Sequence, residues 1–163
     1  MQGVVPATTV DAFLRYLRSD EAVADVGGLP AGSPPAEVLF MKVDVEGADY
    51  AVLRGARAAL ASGRVQALQF ESNFKWEKMV GAKTLVDGVR FLEQLGYDVF
   101  LISRTGPWQP ISGAFWDAAY EGCAETWDST DVAAVRARPP VPWMPQFRAW
   151  AMGGGDLVCP KGR

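Results

Sequence analysis

Apolar positions recur at helical spacing in three stretches of the first hundred residues. In the first stretch, Val10, Phe13, Leu14 and Leu17 follow the i, i+3, i+4, i+7 pattern, with Thr9 placed to cap the helix start. The same reasoning predicts two more helices, each followed by a glycine that suits a helix end. The predicted helices are Val10–Ser19, Asp49–Ala61 and Thr84–Leu95.

Short apolar runs bounded by turn residues lie between and beyond these helices. They predict buried strands at Val38–Val43, Val65–Glu71 and Tyr97–Ile102. The connections are too long for hairpins and contain helices, as parallel strands require. The pattern therefore predicts the α/β fold class.

The pattern changes after the third strand, where 104–155 is irregular and rich in aromatic residues. Within this stretch, Asp131–Arg138 is predicted to hold a short helix. After the glycines at 153–155, Asp156–Cys159 is predicted as a last short strand. We expect the 163 residues to form a single domain.

Composition and charge indicate which partners and which cellular compartment to expect. The formal net charge is −3 and there is no basic run, so nucleic acid is not expected as a partner. No segment approaches the roughly 18 consecutive apolar residues of a membrane span, and the first residues lack the pattern of a secretory signal. Cys123 and Cys159 fit no metal spacing and are expected to be free thiols, with a single bridge as the alternative. We therefore expect a cytoplasmic protein.

Histidine is absent from the sequence, which excludes His-based triads, His general bases and His-ligated zinc. The remaining candidates for chemistry are acids at predicted strand ends: Asp44 and Glu46 after the first strand, and Glu71 at the end of the next. Ligands of open α/β sheets bind beyond the carboxyl ends of the strands. If the two strands are neighbours, the three acids converge.

Several functions remain open for these acids. Oxygen ligands of this kind suit Mg²⁺ or Ca²⁺, although no metal site is assigned. Alternatively, one acid is kept protonated by its neighbours and acts as a general acid or base. The structural alternative is that Asp44 and Glu46 cap the helix that begins after Gly47. Lys42 is expected to point the same way as Asp44 and to act as a buried counter-ion, with a catalytic lysine as the alternative.

The segment Lys42–Ala56, with K-V-D-V-E-G-A-D followed by V-L-R-G-A, resembles the signature of FkbM-type methyltransferases. Three further segments resemble that family in the same order: T-V-D-A-F-L at 9–14, Q-F-E at 69–71 and L-G-Y-D-V-F at 95–100. The resemblance covers residues 8–103 and extends to a last strand at 156–160.

The resemblance implies a class I methyltransferase (Rossmann-like) sheet, mostly parallel with an antiparallel last strand. It implies S-adenosylmethionine as cofactor and methyl transfer to oxygen on a small-molecule or sugar acceptor, with Asp44, Glu46 and Glu71 as catalytic residues. The family's cofactor-binding first half is not seen before Thr9, so we expect a partial, N-terminally truncated sheet and assign no cofactor-binding residue.

A partial sheet has consequences for function. The strand at Val38–Val43 is left with a free edge that favours self-association. The alternative to a methyltransferase is a non-catalytic remnant that acts as an interaction module. A carboxylate hydrolase or Mg²⁺-dependent lyase is a third reading, but such enzymes are usually built on longer barrels.

Overall fold

The computed structural model describes most of the chain between Ala7 and Pro145. The described residues are 7–20, 22, 27–30, 33–73, 75–76, 81, 84–102, 108–122, 129–137, 141–143 and 145. The predicted strand at Asp156–Cys159 and both cysteines lie outside them.

Four α-helices are described. They are α1 (Val10–Tyr16), α2 (Asp49–Gly55), α3 (Arg57–Ala61) and α4 (Leu85–Gln94), with two short 3₁₀ helices at Gly113–Phe115 and Ala118–Tyr120. Thr9 caps α1 as predicted, because its Oγ1 accepts a hydrogen bond from the Ala12 N–H at 3.1 Å. At α4, the carboxylate of Asp87 accepts a hydrogen bond from the Thr84 N–H at 3.1 Å.

In the part of the chain that the structure describes, five strands form one open mixed sheet with flanking helices. They are β1 (Val38–Lys42), β2 (Val65–Asn73), β3 (Tyr97–Leu101), β4 (Gln109–Pro110) and β5 (Ser129–Arg136), and their order across the sheet is β1-β2-β5-β3-β4. β1 and β2 are parallel, whereas β5 is antiparallel to both of its neighbours. The predicted α/β class is thereby confirmed as a mixed α/β architecture.

The main core lies between the helices and one face of the sheet. Trp76 is its largest fully buried side chain and stacks on Phe70 with ring centroids 5.9 Å apart. Gly88 of α4 leaves room for this ring, since a Cβ there would lie 3.2 Å from the indole. A smaller cluster, made by Ala67, Phe100, Val135 and Val141, covers part of the opposite face.

The prediction of a short helix at Asp131–Arg138 is wrong, because residues 131–136 belong to β5. The prediction that 104–155 is irregular is likewise wrong for Ser129–Arg136. The run from Val132 to Val135 is buried at every position, because this strand lies between two others and is covered on both faces. Such continuous burial gives no two-residue alternation, so sequence spacing does not distinguish it from a helix.

None of the helices in the described ranges is both long and apolar enough to cross a membrane.

Candidate functional site at the carboxyl ends of β1 and β2

The turn between β1 and α2 begins immediately after the strand and holds an unusual backbone conformation. Val43 still donates its N–H to the carbonyl of Gln69 on β2 at 2.8 Å, and the Val45 carbonyl then accepts from the Ala48 N–H at 3.2 Å. Glu46 has a φ of +54°, a left-handed value that is uncommon for a residue with a side chain. The turn therefore places Glu46 in a defined direction at a conformational cost.

Gly47 is required by both backbone conformation and packing. Its φ is +102°, and a Cβ at this position would lie 2.5 Å from the Cβ of Lys75. The side chain of Lys75 thus fills the space that another residue at 47 would need. The glycine brings the turn after β1 into contact with the segment that follows β2.

Asp49, the first residue of α2, is fully buried beneath this turn. Its two carboxylate oxygens accept hydrogen bonds from the Gly47 N–H at 3.2 Å and from the Glu71 N–H at 3.3 Å. Burial raises the pKa of this carboxyl group, and the two N–H donors oppose the shift. Asp49 therefore connects the turn after β1 to the end of β2.

Sequence reasoning did not select Asp49 as a site residue, because an acid in the first turn of a helix is ordinarily read as a partner of the helix dipole. The available signal was its place inside the K-V-D-V-E-G-A-D segment, directly after the glycine. Its contact with β2 is non-local and follows from the packing of α2 on the sheet.

Lys42 pairs with Asp44 as predicted, but the lysine is exposed, so the expectation that it is buried is wrong. The Lys42 Nζ lies 3.0 Å from the Asp44 carboxylate, and both side chains are more than half exposed. The pKa of Lys42 is raised, first by its hydrogen bond to Asp44 and the charge of that carboxylate, with smaller contributions from Asp131 and Glu71. An exposed pair of this kind contributes little to stability. Because its side chain is exposed, Asp44 is accessible to a ligand.

Glu46 pairs with a different lysine. Its carboxylate lies 2.6 Å from the Nζ of Lys75, and the Glu46 side chain is 79% exposed. This contact raises the pKa of Lys75, and the charge of Glu71 adds to it. β1 ends at Lys42, so neither Asp44 nor Glu46 lies on the strand, and the two acids pair with different lysines.

The capping interpretation of Asp44 and Glu46 is wrong. The N-cap residue of α2 is Ala48, which makes no side-chain capping bond, and the carboxylate beside this helix end belongs to Asp49. Asp44 and Glu46 instead point their carboxylates to lysines.

Glu71 is the most firmly held of the three predicted acids. It is partly buried, and its carboxylate accepts a hydrogen bond from the Asn73 side-chain amide at 2.7 Å. Its backbone is fixed on both sides, since its N–H donates to Asp49 and its carbonyl accepts from the Trp76 indole at 3.0 Å. Asn73 in turn accepts the Lys75 N–H at 3.0 Å.

The three predicted acids thus lie at the same edge of two neighbouring parallel strands. The structure confirms that β1 and β2 are adjacent, which was the condition for their convergence. Both lysines respond to the charge of Glu71 as well as to their own partners. The arrangement presents exposed and partly buried carboxylates, balanced by two lysines, at the edge where α/β sheets bind ligands.

A cavity of about 480 Å³ lies elsewhere, at the β3–β4 edge of the sheet. Glu93, Asp98, Phe100 and Phe115 are among the residues that line it, and none of the three predicted acids does. Among the described residues, no group of three or more Cys, Asp or Glu side chains is arranged to hold a metal ion.

Comparison with models of known protein families finds a match to part of the chain. Residues 29–99 match the model of the methyltransferase FkbM domain. The resemblance to FkbM-type methyltransferases is confirmed. The matched segment contains β1, α2, α3, β2 and α4, and therefore includes the whole acid-bearing edge. Neither the curated proteins nor the solved structures gave a match to the chain.

Proposed function

We propose that this chain is a methyltransferase-like domain whose family chemistry is S-adenosylmethionine-dependent methyl transfer to a hydroxyl of a small molecule or sugar. The observation that carries the proposal is the FkbM match over residues 29–99, which includes the turn that presents Asp44 and Glu46 beside Glu71. The match supports a methyltransferase, and the cofactor, the acceptor class and the residue roles are our proposal.

The sheet supports a partial class I methyltransferase (Rossmann-like) fold. Helices α2 and α3 connect the parallel strands β1 and β2, as in a β-α-β crossover. We assign the antiparallel strand of this fold to β5, which lies between β2 and β3, and not to the predicted strand at Asp156–Cys159, which is outside the described residues.

We assign the acceptor-facing roles to the three acids at this edge. A carboxylate within hydrogen-bond reach of an acceptor hydroxyl can orient it and take up its proton as the oxygen reacts. Glu71 suits this role best, because Asn73 holds its carboxylate and the side chains of Asp49 and Trp76 hold its backbone. Asp44 and Glu46 are more exposed and suit contacts to other polar groups of the acceptor.

The described residues do not supply a cradle for the cofactor. Gly28 precedes β1, but a Cβ there would lie 2.7 Å from the Leu17 carbonyl and 2.9 Å from Ala22, so the chain itself fills this space. At Gly47, the side chain of Lys75 occupies the corresponding space. We therefore assign no residue to S-adenosylmethionine and place the proposed roles on the acceptor side alone.

Calorimetry with S-adenosylmethionine and its demethylated product tests the proposal directly. Because no described residue is assigned to the cofactor, saturable heat would support methyl transfer by this chain, and the absence of heat would exclude catalysis by this chain alone. If binding occurs, transfer of a labelled methyl group to a panel of sugars and hydroxylated small molecules identifies the acceptor class.

The role of Glu71 is then tested with Glu71→Gln, which keeps the size of the side chain and removes its basicity. We expect kcat to fall about 10²- to 10⁴-fold with cofactor affinity unchanged. Glu37→Gln is the matched control, since Glu37 precedes β1 at the opposite end of the strand and contacts Gln66 at 3.4 Å. Equal activity of both variants would remove the proton-accepting role from Glu71.

A second candidate function is a non-catalytic interaction module. The observation that favours it is the exposed apolar surface on β1, where Leu39 and Phe40 are 66% and 54% exposed. No cofactor heat together with specific association through β1 would support this function over the first.

A further inference from the structure

The cavity of about 480 Å³ lies toward the opposite end of the sheet from the three predicted acids. Strand β5 is antiparallel to both β2 and β3, so β2 and β3 run in the same direction. Tyr97 and Asp98, which line the cavity, begin β3, whereas Glu71 lies near the end of β2. The cavity is therefore separate from the candidate site, and its volume is within the range of about 300–1,000 Å³ that holds small organic ligands.

The charged side chains that line this cavity are acidic. Among the described lining residues, Glu93 and Asp98 carry carboxylates, and there is no lysine or arginine. Arg136 pairs with Tyr97 across the strands, but its guanidinium donates to the Gly63 carbonyl. The lining thus has a net negative charge, which favours a cationic ligand over an anionic one.

Glu93 is partly buried in the last turn of α4, and the protein uses only one of its oxygens. Its Oε1 accepts a hydrogen bond from the Gly113 N–H, which holds the carboxylate at the cavity wall. Among the described residues, no lysine or arginine forms an ion pair with this carboxylate. The last turn of α4 has no basic residue, so the partial negative charge of the helix end adds to that of Glu93.

Aromatic and apolar side chains supply much of the remaining wall. Phe115 lines the cavity from a short 3₁₀ helix and is 51% exposed, although its side chain is large and apolar. Phe100 and Pro110, which are register partners on β3 and β4, form another part of the lining. The face of an aromatic ring attracts a cation, and the ring also buries apolar surface. The cavity therefore offers a partner for an ammonium group and a surface for an apolar body.

We propose that this cavity binds a small organic cation, with its ammonium group beside Glu93 and its apolar or aromatic body against Phe115. Asp98 adds to the negative charge that the ligand meets. A neutral ligand of the same shape loses the ionic contact, and an anion meets two carboxylates. Affinity should therefore follow the charge of the ligand, whether or not the chain transfers methyl groups.

A nuclear magnetic resonance titration with 2-phenylethylammonium tests the site. The matched probes are 2-phenylethanol and phenylacetate, which carry the same ring with a neutral or an anionic group. We expect amide shifts at Gly96, Asp98 and Gly113, a dissociation constant in the millimolar range for a probe of about nine non-hydrogen atoms, and at least about threefold weaker binding of the alcohol. Equal affinity for the three probes, no saturable shift, or shifts confined to Asp44 and Glu71 would overturn the proposal.

Glu93→Gln separates the charge of the cavity from its shape, because the glutamine amide oxygen can still accept the Gly113 N–H. We expect this variant to bind 2-phenylethylammonium at least about threefold more weakly and 2-phenylethanol as before. The matched control is Glu37→Gln, which removes the same charge from an exposed residue before β1, at the other side of the sheet. Circular dichroism checks that both variants are folded.

Phe115→Leu tests the ring, and should weaken binding of the cation about twofold or more. If Glu93→Gln and Glu37→Gln bound the cation equally well, the net charge of the protein rather than Glu93 would attract it, and the proposal would be wrong.

Discussion

At the scale of single residues, the acid-bearing edge depends on Asp49 more than on the acids that face solvent. Its carboxylate accepts hydrogen bonds from the N–H of Gly47, in the turn after β1, and from the N–H of Glu71, near the end of β2. Asp49→Asn replaces one accepting oxygen with a donating amide, so one buried N–H loses its partner. We expect a loss of about 1–3 kcal/mol in the free energy of unfolding, measured with urea. Asp44→Asn, at an exposed ion pair, is the control and should change this quantity far less.

Asp49 also makes the free energy of unfolding depend on pH. Burial raises the pKa of Asp49 in the folded state above its ordinary 3.8, so the folded protein binds this proton more tightly than the unfolded chain. Its contribution to stability is greatest below pH 3.8 and is lost as the pH rises through the folded-state value. Unfolding measured across this range should show the decline in the wild type. An Asp49→Asn variant with an unchanged pH profile would contradict the assignment.

Gly47 offers a separate test of how closely the two strand ends approach. In Gly47→Ala, the added methyl group meets Lys75 and the backbone is strained at a φ of +102°. Gly81→Ala is a matched control, because Gly81 has a φ of +77° but nothing within 4 Å of its Cβ position. We expect Gly47→Ala to be the more destabilising by at least about 1 kcal/mol in urea unfolding. Equal losses would mean that Lys75 moves aside without cost.

At the scale of elements, sequence periodicity predicted local structure well and non-local pairing poorly. The helix beginning at Val10 and the strand beginning at Val38 are confirmed, since capping and strand boundaries are set by neighbouring residues. β5 was missed because its continuous burial depends on β2 and β3, which are distant in sequence. β2 extends to Asn73 for the same reason, as Asn73 pairs with Ser129.

In the candidate site too, local features were predicted and non-local contacts were not. The positions of Asp44, Glu46 and Glu71 at one edge were predictable, because the carboxyl ends of neighbouring parallel strands coincide. The contacts with Lys75 and Asp49 were not, since they arise from packing between segments. The pairs Lys42–Asp44 and Asn73–Glu71 each join residues two positions apart, and only the first of them was predicted.

A long-range carboxylate also explains why the predicted helix Asp49–Ala61 is observed as two helices. Asp11 of α1 accepts the N–H groups of Ala58 and Ala59 at 2.7 and 2.8 Å, and so caps α3 as a separate element. Asp11→Ala should reduce the free energy of unfolding by about 0.5–2 kcal/mol, the usual cost of a lost helix cap. Asp20→Ala, at an exposed acid after α1, serves as the control in the same urea experiment. Similar small effects in both variants would show that α3 does not depend on this cap.

At the scale of the whole molecule, Tyr97 connects the helices to the sheet. It is buried, and its hydroxyl donates to the Val65 carbonyl at 2.5 Å, with the Leu60 carbonyl at 3.5 Å. One phenol thus contacts β2 and α3 from its place on β3. Such a group ionises in the folded state only if the packing of all three elements tolerates a buried charge.

This position makes Tyr97 a reporter of alkaline unfolding. Burial raises its pKa from 10.0 to about 12, although the nearby Arg136 opposes the shift. Because the folded protein retains this proton more tightly, stability is complete below pH 10 and is lost as the pH rises toward the folded-state value. We expect the unfolding free energy of the wild type to decline across this range, and one tyrosine to ionise only together with loss of the folded circular dichroism signal. Tyr97→Phe should lower stability at neutral pH by about 1 kcal/mol and lack the alkaline decline, whereas Tyr120→Phe, at a less buried ring, should keep it. If Tyr97→Phe retained the full decline, another group would have to be its source, and the junction of β3, β2 and α3 would not control the alkaline limit of the fold.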